Sequence, residues 1–424
     1  MKIQTKMAID RLAGLIICIL FIPIALTLGK ILRRNHSITP ANVKNIVVAK
    51  YFGLGSISQS LPMLKALKTA YPNANLIYLS RKANAPLLEL APFVDKTLYL
   101  SDKTLTGTLL SSLEILWTLW KLPRIDLFFD LEIFSSYGAL ISLFSLARNR
   151  LGFFWARSTK FKTYIHTHLV YFNFSMPLRL TYMQLARLGG ADVNSKNSLV
   201  AFNIDQSTQV LADQKLCKIT QNPYDKILAF NVNASDLSYA RRWPLKNFAQ
   251  TAIHFMQQGY FIVLLGSKGE KDYVEQMIKE VSGYTDLIFN AAGYFSLAEV
   301  LALLPKFVAF LTNDTGLMNL AFAQNAKVAA LYGPNIPDYT FIANDVNVAI
   351  YKKSFCSPCL YIFEEPICGQ SYFCMENIET QDVVLAIETL LKAGPPKEQK
   401  EEGINSFVQQ NDGSYVYGTL RRRQ

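Results

Sequence analysis

The sequence lacks the marks of a nucleic-acid-binding protein. It has no Lys/Arg-rich helix, no zinc-finger spacing and no aromatic signature of an RNA-binding module. Its formal net charge is nevertheless +11, which favours an anionic partner. With nucleic acid set aside, a phosphorylated substrate and an anionic membrane surface are the partners that this charge predicts.

Low-complexity tracts and short repeats are also absent, and only 18% of the residues are charged while half are hydrophobic. This composition excludes a disordered chain, and 424 residues are enough for two domains, each with its own core. The tail over residues 394–424 is the exception. It begins with turn formers and charges that show no periodicity, which predicts disorder.

Charge is missing altogether from residues 12–29, a run that just reaches the length of a membrane helix. A secretory signal would have a shorter apolar core and a small-residue cleavage site. The run is flanked by basic residues, with a slight excess on its C-terminal side: Lys2, Lys6, Arg11, Lys30, Arg33 and Arg34. We therefore predict that residues 1–34 associate with the inner membrane and that the catalytic domains are cytoplasmic. Pro23 leaves a bent, re-entrant segment open, and a buried soluble helix is the other alternative.

The rest of the chain alternates strand-like and helix-like segments, and the pattern starts over near residue 226. Strands separated by helices predict α/β domains with parallel, doubly wound sheets. The two halves join near residues 205–225. The predicted strands are 45–51, 75–80, 126–131, 226–232, 260–266, 307–312 and 327–333, and helices are predicted over 244–258 and 269–281.

The first strand runs into GLGSIS (53–58), a degraded dinucleotide fingerprint with Ser58 at its third glycine position. A nicotinamide enzyme would place an acidic residue after the second strand, whereas this chain has Ser80 and Arg81 there. An arginine at that point suits a 2′-phosphate, so an NADP-dependent oxidoreductase is one alternative function.

Polar groups suited to a nucleotide diphosphate follow three strands of the second half. Arg241 and Arg242 precede a helix, Glu270 could bond a ribose, and Asn-Asp-Thr-Gly (313–316) separates a strand from a helix. Guanidinium groups and free helix amides bind phosphate, and ligands bind at the strand ends of such sheets. Ordinary turns and helix caps are the simpler alternative for each motif taken alone.

These motifs, taken together and in order, resemble glycosyltransferase family 9, which includes the lipopolysaccharide heptosyltransferases. The resemblance covers about residues 44–390 and rests on GLGS with SLPMLKALKTAYPNA, RRWPLKNFAQTA, LLGSKGE, NDTGLMNLAFAQNAKVAALYGP and the CSPC…CMENI block. It implies a GT-B fold, in which two Rossmann-like domains face each other across a cleft. Residues 44–205 would be the acceptor domain and residues 225–393 the donor domain.

The resemblance also implies the activity, an inverting sugar transfer from a nucleotide sugar, commonly ADP-heptose, to a lipid-linked or other envelope glycan of the lipopolysaccharide type. No cofactor is required for it. The donor-binding positions of the family fall on Arg241, Glu270, Asp314, Thr315 and Gly316. We expect Asp314 and Thr315 to cap the helix and the amides of Thr315 and Gly316 to face the diphosphate.

Two positions depart from the family pattern. Ser56 stands where the heptosyltransferases usually have the aspartate that is the proposed base, and Asn319 stands where they usually have a histidine. A serine cannot accept a proton at neutral pH without its own base. Asp130 and Glu132 at the end of a predicted strand are the nearest carboxylates that could serve. A changed chemistry and a catalytically silent sugar-nucleotide-binding homologue are the remaining alternatives.

Four of the six cysteines lie close together in the sequence, whereas a secreted disulfide scaffold would spread them through a small chain. The spacing of a Cys-x-x-Cys pair and two later thiols permits tetrahedral zinc. Reduced structural thiols or a redox pair are equally compatible with it. The residues are Cys356, Cys359, Cys368 and Cys374.

Overall fold

The computed structural model forms two compact units, Met1–Asn197 with Glu401–Gln424, and Ser198–Lys400. The second unit includes the helix Gln206–Cys217, which falls in the stretch predicted to join the two halves. The structure describes residues 14, 16, 19–24, 26–27, 29–31, 35–39, 43–155, 164–193, 199–234, 239–281, 283–360, 368–369, 371–394 and 421–422.

The first unit is built on a parallel sheet in which the order is β6-β5-β4-β1-β2-β3. Its strands are β1 (Asn45–Ala49), β2 (Asn75–Arg81), β3 (Lys96–Leu100), β4 (Leu127–Asp130), β5 (Asn149–Phe154) and β6 (His168–Tyr171). Its helices are Leu54–Ala70, Ala85–Leu88, Leu105–Trp120, Tyr137–Phe144 and Leu178–Leu188. The short strand Arg421–Arg422 pairs antiparallel with β6 at the sheet edge.

The second unit repeats this plan with the strand order β12-β11-β10-β7-β8-β9. Its strands are β7 (Ile227–Asn231), β8 (Phe261–Leu264), β9 (Ile288–Asn290), β10 (Ala309–Asn313), β11 (Val328–Tyr332) and β12 (Asn347–Tyr351). Its helices are Gln206–Cys217, Leu245–Met256, Lys271–Lys279, Leu297–Leu303, Gly316–Ala323, Pro337–Thr340, Phe373–Glu376 and Thr380–Lys392.

The central strands are continuous apolar runs because helices cover both faces of each sheet. All five residues of β1, of β7 and of β10 are buried. The helix Leu245–Met256 shows the complementary pattern, since Phe248, Ala252 and Phe255 face the core of the second unit. The predicted α/β class with two Rossmann-like sheets is therefore confirmed.

Each sheet has a switch point, where the chain stops adding strands on one side and begins on the other. In the first unit this point lies between β1 and β4, and in the second between β7 and β10. A crevice opens at the carboxyl ends of such a strand pair, and ligands of open α/β sheets bind there. The candidate sites should therefore lie after β1 and β4, and after β7 and β10.

Gly53 sets the course of the chain after β1. Its φ of 88° lies in the left-handed region, which a residue with a side chain rarely adopts. The chain turns there and at once begins the helix Leu54–Ala70, which has no side-chain cap at its N-terminus. The structure therefore contains the glycine turn between strand and helix that the GLGSIS motif predicts.

The predicted membrane segment over residues 12–29 is described only in part. Among the described residues, no helix combines the length and apolar character needed to cross a bilayer. Most of the predicted disordered tail, residues 395–420 and 423–424, lies outside the described residues. Membrane insertion, tail disorder and the cleft between the two domains stay predictions.

Candidate functional site

Asn313, the last residue of β10, is bonded to both ends of the loop that follows β7 at the switch point of the second unit. Its side-chain amide donates to the backbone oxygens of Val232 and Asn233, which follow β7, at 3.2 Å each. Its side-chain oxygen accepts a bond from the backbone nitrogen of Trp243 at 3.1 Å. One buried side chain therefore fixes both ends of the connection between β7 and the helix Leu245–Met256 to the end of β10.

Arg241 reaches the same place from the loop before that helix. Its Nη1 donates a hydrogen bond of 2.9 Å to the backbone oxygen of Asp314. The Asp314 side chain is buried, and its Oδ2 accepts a bond of 2.9 Å from the amide of Asn335, just after β11. Burial raises the pKa of Asp314, although the charge of Arg241 and hydrogen bonds from Asn335 and Thr340 oppose the rise. The positively charged guanidinium of Arg241 is therefore held at the turn that leads from β10 into the next helix.

Thr315 is the N-cap of the helix Gly316–Ala323. Its hydroxyl oxygen accepts a bond from the backbone nitrogen of Met318 at 3.3 Å and another from the side-chain amide of Asn231 at 3.1 Å. The expectation that Asp314 shares the capping role is wrong, because Asn335 holds the Asp314 carboxylate outside the helix end. Gly316 is the first helical residue, so its amide and that of Thr315 lie at the positive end of the helix.

Arg242 has a different role from its neighbour. Its guanidinium group is stacked between the rings of Tyr239 and Tyr273, at 4.3 and 4.5 Å from the ring centroids. It also donates to the backbone oxygen of Ala234 at 3.2 Å. These contacts hold the loop together and keep the Arg242 guanidinium between the two rings. Of the two adjacent arginines, Arg241 is thus the one at the switch point.

Two hydrogen bonds hold the side chain of Glu270 in place. Its Oε2 accepts from the backbone nitrogen of Ser267, in a capping box that starts the next helix. Its Oε1 accepts a bond of 2.6 Å from the side chain of Asn233. The predicted contact with a ribose stays a prediction, and a ribose would have to use the lone pairs that these two bonds leave.

Glu132 occupies the equivalent switch point of the first unit. Its Oε1 accepts from the backbone nitrogens of Tyr51 and Phe52 at 2.7 and 3.0 Å, and its Oε2 lies 2.9 Å from the ammonium of Lys50. The Lys50 and Glu132 side chains are 8% and 5% exposed. These bonds tie the carboxylate to the backbone after β1, so Glu132 organises the loop that leads to Gly53.

Asp130, at the end of β4, forms the second buried pair of that unit. Its Oδ2 lies 3.2 Å from Nε2 of His166, and both side chains are fully buried. Two glycines make room for the pair: a methyl group at Gly138 would lie 2.2 Å from Asp130, and one at Gly152 would lie 2.6 Å from the His166 ring. The histidine was not singled out from the sequence, because nothing in its local pattern indicated a carboxylate partner.

Ser56 lies in the first turn of the helix Leu54–Ala70 and is half-buried. Arg81, which the oxidoreductase alternative requires for a 2′-phosphate, forms an ion pair of 2.6 Å with Asp102 and lies over the ring of Phe52. Its charge is therefore already compensated within the protein. This arrangement weakens the case for an NADP site.

The four clustered cysteines are free thiols. Burial and the charges of the neighbouring cysteines raise the pKa of Cys359, and they raise that of Cys374 to about 12, so the thiols stand near one another. Among the described residues, however, no three His, Cys, Asp or Glu side chains are arranged to hold a metal ion. Cys356 and Cys368 are partly exposed.

Three asparagines organise the site, although the sequence analysis gave none of their side chains a role and named only Asn313, as the start of the Asn-Asp-Thr-Gly motif. Asn231, Asn313 and Asn335 each follow or end a central strand of the second unit and bond across to another loop. The signal was present, since all three follow apolar runs that predict strands. Asparagine is nevertheless common in turns, which is why these positions did not stand out.

Comparisons with known proteins agree with this geometry. The sequence model of glycosyltransferase family 9 (heptosyltransferase) matches residues 132–364. Lipooligosaccharide heptosyltransferase 2 of Haemophilus influenzae is 36% identical over 102 residues, which are 24% of this chain and 30% of that protein. The matched segment therefore spans less than a third of that relative's length.

Two solved structures share the fold over most of the chain. The glycosyl transferase family 9 protein from Veillonella parvula has a TM-score of 0.69 at 20% identity, covering 82% of this chain and 97% of that one. The ADP-heptose LPS heptosyltransferase II of E. coli has a TM-score of 0.65 at 21% identity, covering 82% and 98%. At these identities the likeness is one of fold.

Proposed function

Because the chain belongs to glycosyltransferase family 9, we propose that it transfers heptose, or a related sugar, from ADP-heptose to a glycan acceptor of the lipopolysaccharide type. The proposal is supported by the names of the similar proteins, which include a lipooligosaccharide heptosyltransferase and an ADP-heptose LPS heptosyltransferase. The observation that carries it is the position of Arg241 over the turn at Asp314, at the switch point of the second unit.

In this proposal the donor diphosphate lies at the N-terminus of the helix Gly316–Ala323. The backbone amides of Thr315 and Gly316 and the guanidinium of Arg241 face it, and Glu270 bonds the ribose. The acceptor hydroxyl attacks the anomeric carbon directly and inverts it, and the diphosphate leaves. Negative charge grows on the diphosphate as the bond breaks, and fixed positive groups stabilise that charge without a metal ion.

The proton of the acceptor hydroxyl requires a base. Ser56 cannot supply one, so the proposal assigns this role to a carboxylate after β4, Asp130 or Glu132. Glu132 already accepts bonds from two amides and a lysine, so few of its lone pairs are left for a proton from the acceptor. Asp130 lies 3.2 Å from His166 and both side chains are fully buried, so this role requires the acceptor to open a path to the carboxylate. The pH profiles of kcat for Asp130→Asn and Glu132→Gln separate the two candidates. Replacing the base should abolish the high kcat that the wild type reaches at alkaline pH, and replacing the other carboxylate should not.

We also propose that zinc, where present, is bound by Cys356, Cys359, Cys368 and Cys374 and serves only to hold the chain between β12 and the last helix. This idea rests on the spacing of the four thiols alone, and zinc would have to draw them together, because no three of them are arranged for a metal ion in the described residues. Elemental analysis of the purified protein tests it. Metal that is lost in a variant with Cys356→Ser and Cys359→Ser would support the assignment, and a metal-free protein with four titratable thiols would refute it.

For the location we propose the cytoplasmic face of the inner membrane, with residues 12–29 as the anchoring segment and an anionic lipid surface as the partner. The support is the uncharged run and its basic flanks. Fractionation of cells that produce the full chain tests this proposal. Recovery of the protein in the soluble fraction at low salt would refute it.

A transfer assay tests the catalytic proposal itself. The full chain is incubated with ADP-heptose and a lipopolysaccharide core acceptor, and released ADP and glycosylated product are both measured. Thermal-shift titrations with ADP, UDP, GDP and NADP run beside it. Binding of ADP without turnover would favour the silent homologue, and a response to NADP alone would favour the oxidoreductase.

A further inference from the structure

The helix Leu105–Trp120 of the first unit exposes large apolar side chains along one whole face. Six of them are each 50–67% exposed: Leu105, Leu109, Leu110, Leu113, Trp117 and Trp120. They recur at three- and four-residue intervals, so they lie on one side of the helix. We call this surface the apolar face of the helix.

The opposite side of the helix is buried against the sheet of the first unit. Ile115, Leu116 and Leu119 belong to the core cluster that contains β1, β2 and β4 residues. The helix therefore has two hydrophobic sides, and folding of the described residues covers only one. Isolated exposed leucines need no explanation, whereas a contiguous apolar patch of this size marks an interaction surface.

The apolar face continues onto a second apolar helical segment through Phe144. Trp120 donates its indole hydrogen to the backbone oxygen of Phe144 at 2.8 Å, and the Phe144 ring lies 5.0 Å from that of Phe21. The described residues around Phe21 are helical and also expose large aliphatic side chains: Ile16, Ile19, Leu20, Ile24, Leu26 and Ile31. The two exposed surfaces are thus neighbours on the same unit.

Charge at the edges of the apolar face indicates what covers it. Lys103 precedes the helix, and Lys121 follows it with its ammonium 5.3 Å from the centre of the Trp117 ring. A helix with an apolar face, tryptophans near one end and lysines at its margins is suited to lie in the interface of an anionic bilayer. Glu114 and Thr106 are the polar members of its exposed side, and Glu114 lies at the edge of the apolar arc.

We propose that the apolar face of Leu105–Trp120 inserts into the surface of an anionic lipid bilayer, as a contact additional to residues 12–29. A second copy of the chain is a poorer occupant. A twofold contact would bring the two sets of marginal lysines together, and a chain of net charge +11 would repel itself. The inference goes beyond the proposed sugar transfer and does not depend on which sugar is used.

The inference is tested on the full chain with vesicles of phosphatidylethanolamine and phosphatidylglycerol that carry bromine atoms on their acyl chains. Bromine quenches only tryptophans that enter the lipid, so the signal reports contact at the helix even if residues 12–29 anchor the protein. We expect quenching in the wild-type chain and its loss in a variant with Trp117→Phe and Trp120→Phe, which leaves Trp155 and Trp243 in place.

A paired substitution then tests the face itself. Leu109→Glu with Leu113→Glu should weaken the contact by about a hundredfold and so abolish most of the quenching, because each leucine kept out of lipid weakens the contact by about tenfold. Val210→Glu with Leu211→Glu adds the same charge at exposed apolar positions of the second unit and should leave quenching unchanged. ADP binding of all variants, measured by thermal shift, confirms that each is folded.

Three results would overturn the inference. The first is a vesicle-bound chain in which Trp117 and Trp120 are not quenched. The second is an equal loss of quenching in both charge-matched variants. The third is a dimer in sedimentation that only Leu109→Glu with Leu113→Glu dissociates, which would assign the face to a second copy. A failed transfer assay with intact quenching would overturn the catalytic proposal and leave this one standing.

Discussion

The guanidinium of Arg241 donates a hydrogen bond to the backbone carbonyl of Asp314, a residue 73 positions further along the chain. The bond joins the loop before the helix Leu245–Met256 to the turn after β10. Together with the bonds of Asn313 it fixes these loops at the carboxyl end of the sheet. The site is thus organised before any ligand arrives, which is the condition for electrostatic stabilisation of a leaving group.

The raised pKa of Asp314 predicts a pH dependence of stability. A carboxyl group whose pKa is higher in the folded protein than the usual 3.8 binds its proton more tightly when folded. Its contribution to stability is present in full below 3.8 and is lost as the pH rises through the raised value. Asp314→Asn lacks this titration. We therefore expect the thermal midpoint of the wild type to fall relative to that of Asp314→Asn as the pH rises from about 3.8.

The control for that series is Asp382→Asn, whose carboxylate pairs with Lys352 and has a lowered pKa. Its stabilising effect runs the other way, since it is lost as the pH falls. If the midpoint of the wild type relative to each variant changed in the same direction with pH in both series, the environments that the structure assigns to these carboxylates would be contradicted.

The buried Lys50–Glu132 pair predicts a large loss of stability when one partner is removed. Glu132→Ala leaves the Lys50 charge buried and the amides of Tyr51 and Phe52 without their acceptor. We expect the free energy of unfolding of the first unit to fall by about 3–5 kcal/mol. Glu132→Gln keeps an acceptor for the amides and should cost less. Urea denaturation measures the free energy of unfolding of both variants. An unchanged value for Glu132→Ala would show that water solvates the pair.

The tight packing around the Asp130–His166 pair predicts that a methyl group added beside it lowers the stability of the protein. Gly138→Ala and Gly152→Ala each place a methyl group where only a glycine leaves room for the pair. Forced shifts in a packed interior cost about 1–3 kcal/mol, so both variants should unfold at lower temperature. Gly269→Ala is the matched control, because open space surrounds that position. If all three variants melt alike, the close approach of the pair is not present in solution.

The sequence predicted the central strands because burial on both faces leaves a signal that needs no tertiary information. The predicted strand 75–80 is β2 (Asn75–Arg81), and the predicted strand 226–232 is β7 (Ile227–Asn231). The edge strands were not predicted. β9 has only three residues, and β3 is half exposed, so neither gives an apolar run long enough to stand out.

The candidate site was predictable only as a set of strand ends. Which groups face one another depends on contacts between distant loops, and sequence spacing does not carry that information. Ser267 and Glu270 illustrate the limit, since Ser-x-x-Glu before a helix is a capping-box pattern that could have indicated the local role of Glu270. The pairing of Asp130 with His166 had no such local pattern.

The last prediction concerns Arg241, whose position the structure fixes best. Its guanidinium would strengthen its contact with the diphosphate as charge builds on the leaving group, so it should serve the transition state more than the ground state. A charge-assisted hydrogen bond is worth about 1.5–3 kcal/mol, which is on the order of ten- to a hundredfold in rate. Arg241→Ala should therefore lower kcat by about that factor and affect the donor Kd less. Arg241→Lys should recover only part of the rate, because an ammonium cannot reproduce the forked contact.

Arg242 supplies the matched control for that measurement, because the neighbouring guanidinium is stacked between Tyr239 and Tyr273 and points to its own loop. Arg242→Ala should reduce thermal stability and leave kcat near the wild-type value once the protein is folded. A large loss of kcat in Arg242→Ala with full activity in Arg241→Ala would mean that the loop rearranges when the donor binds. Full activity in both would place the donor diphosphate elsewhere, because neither guanidinium would then contribute to its binding or departure.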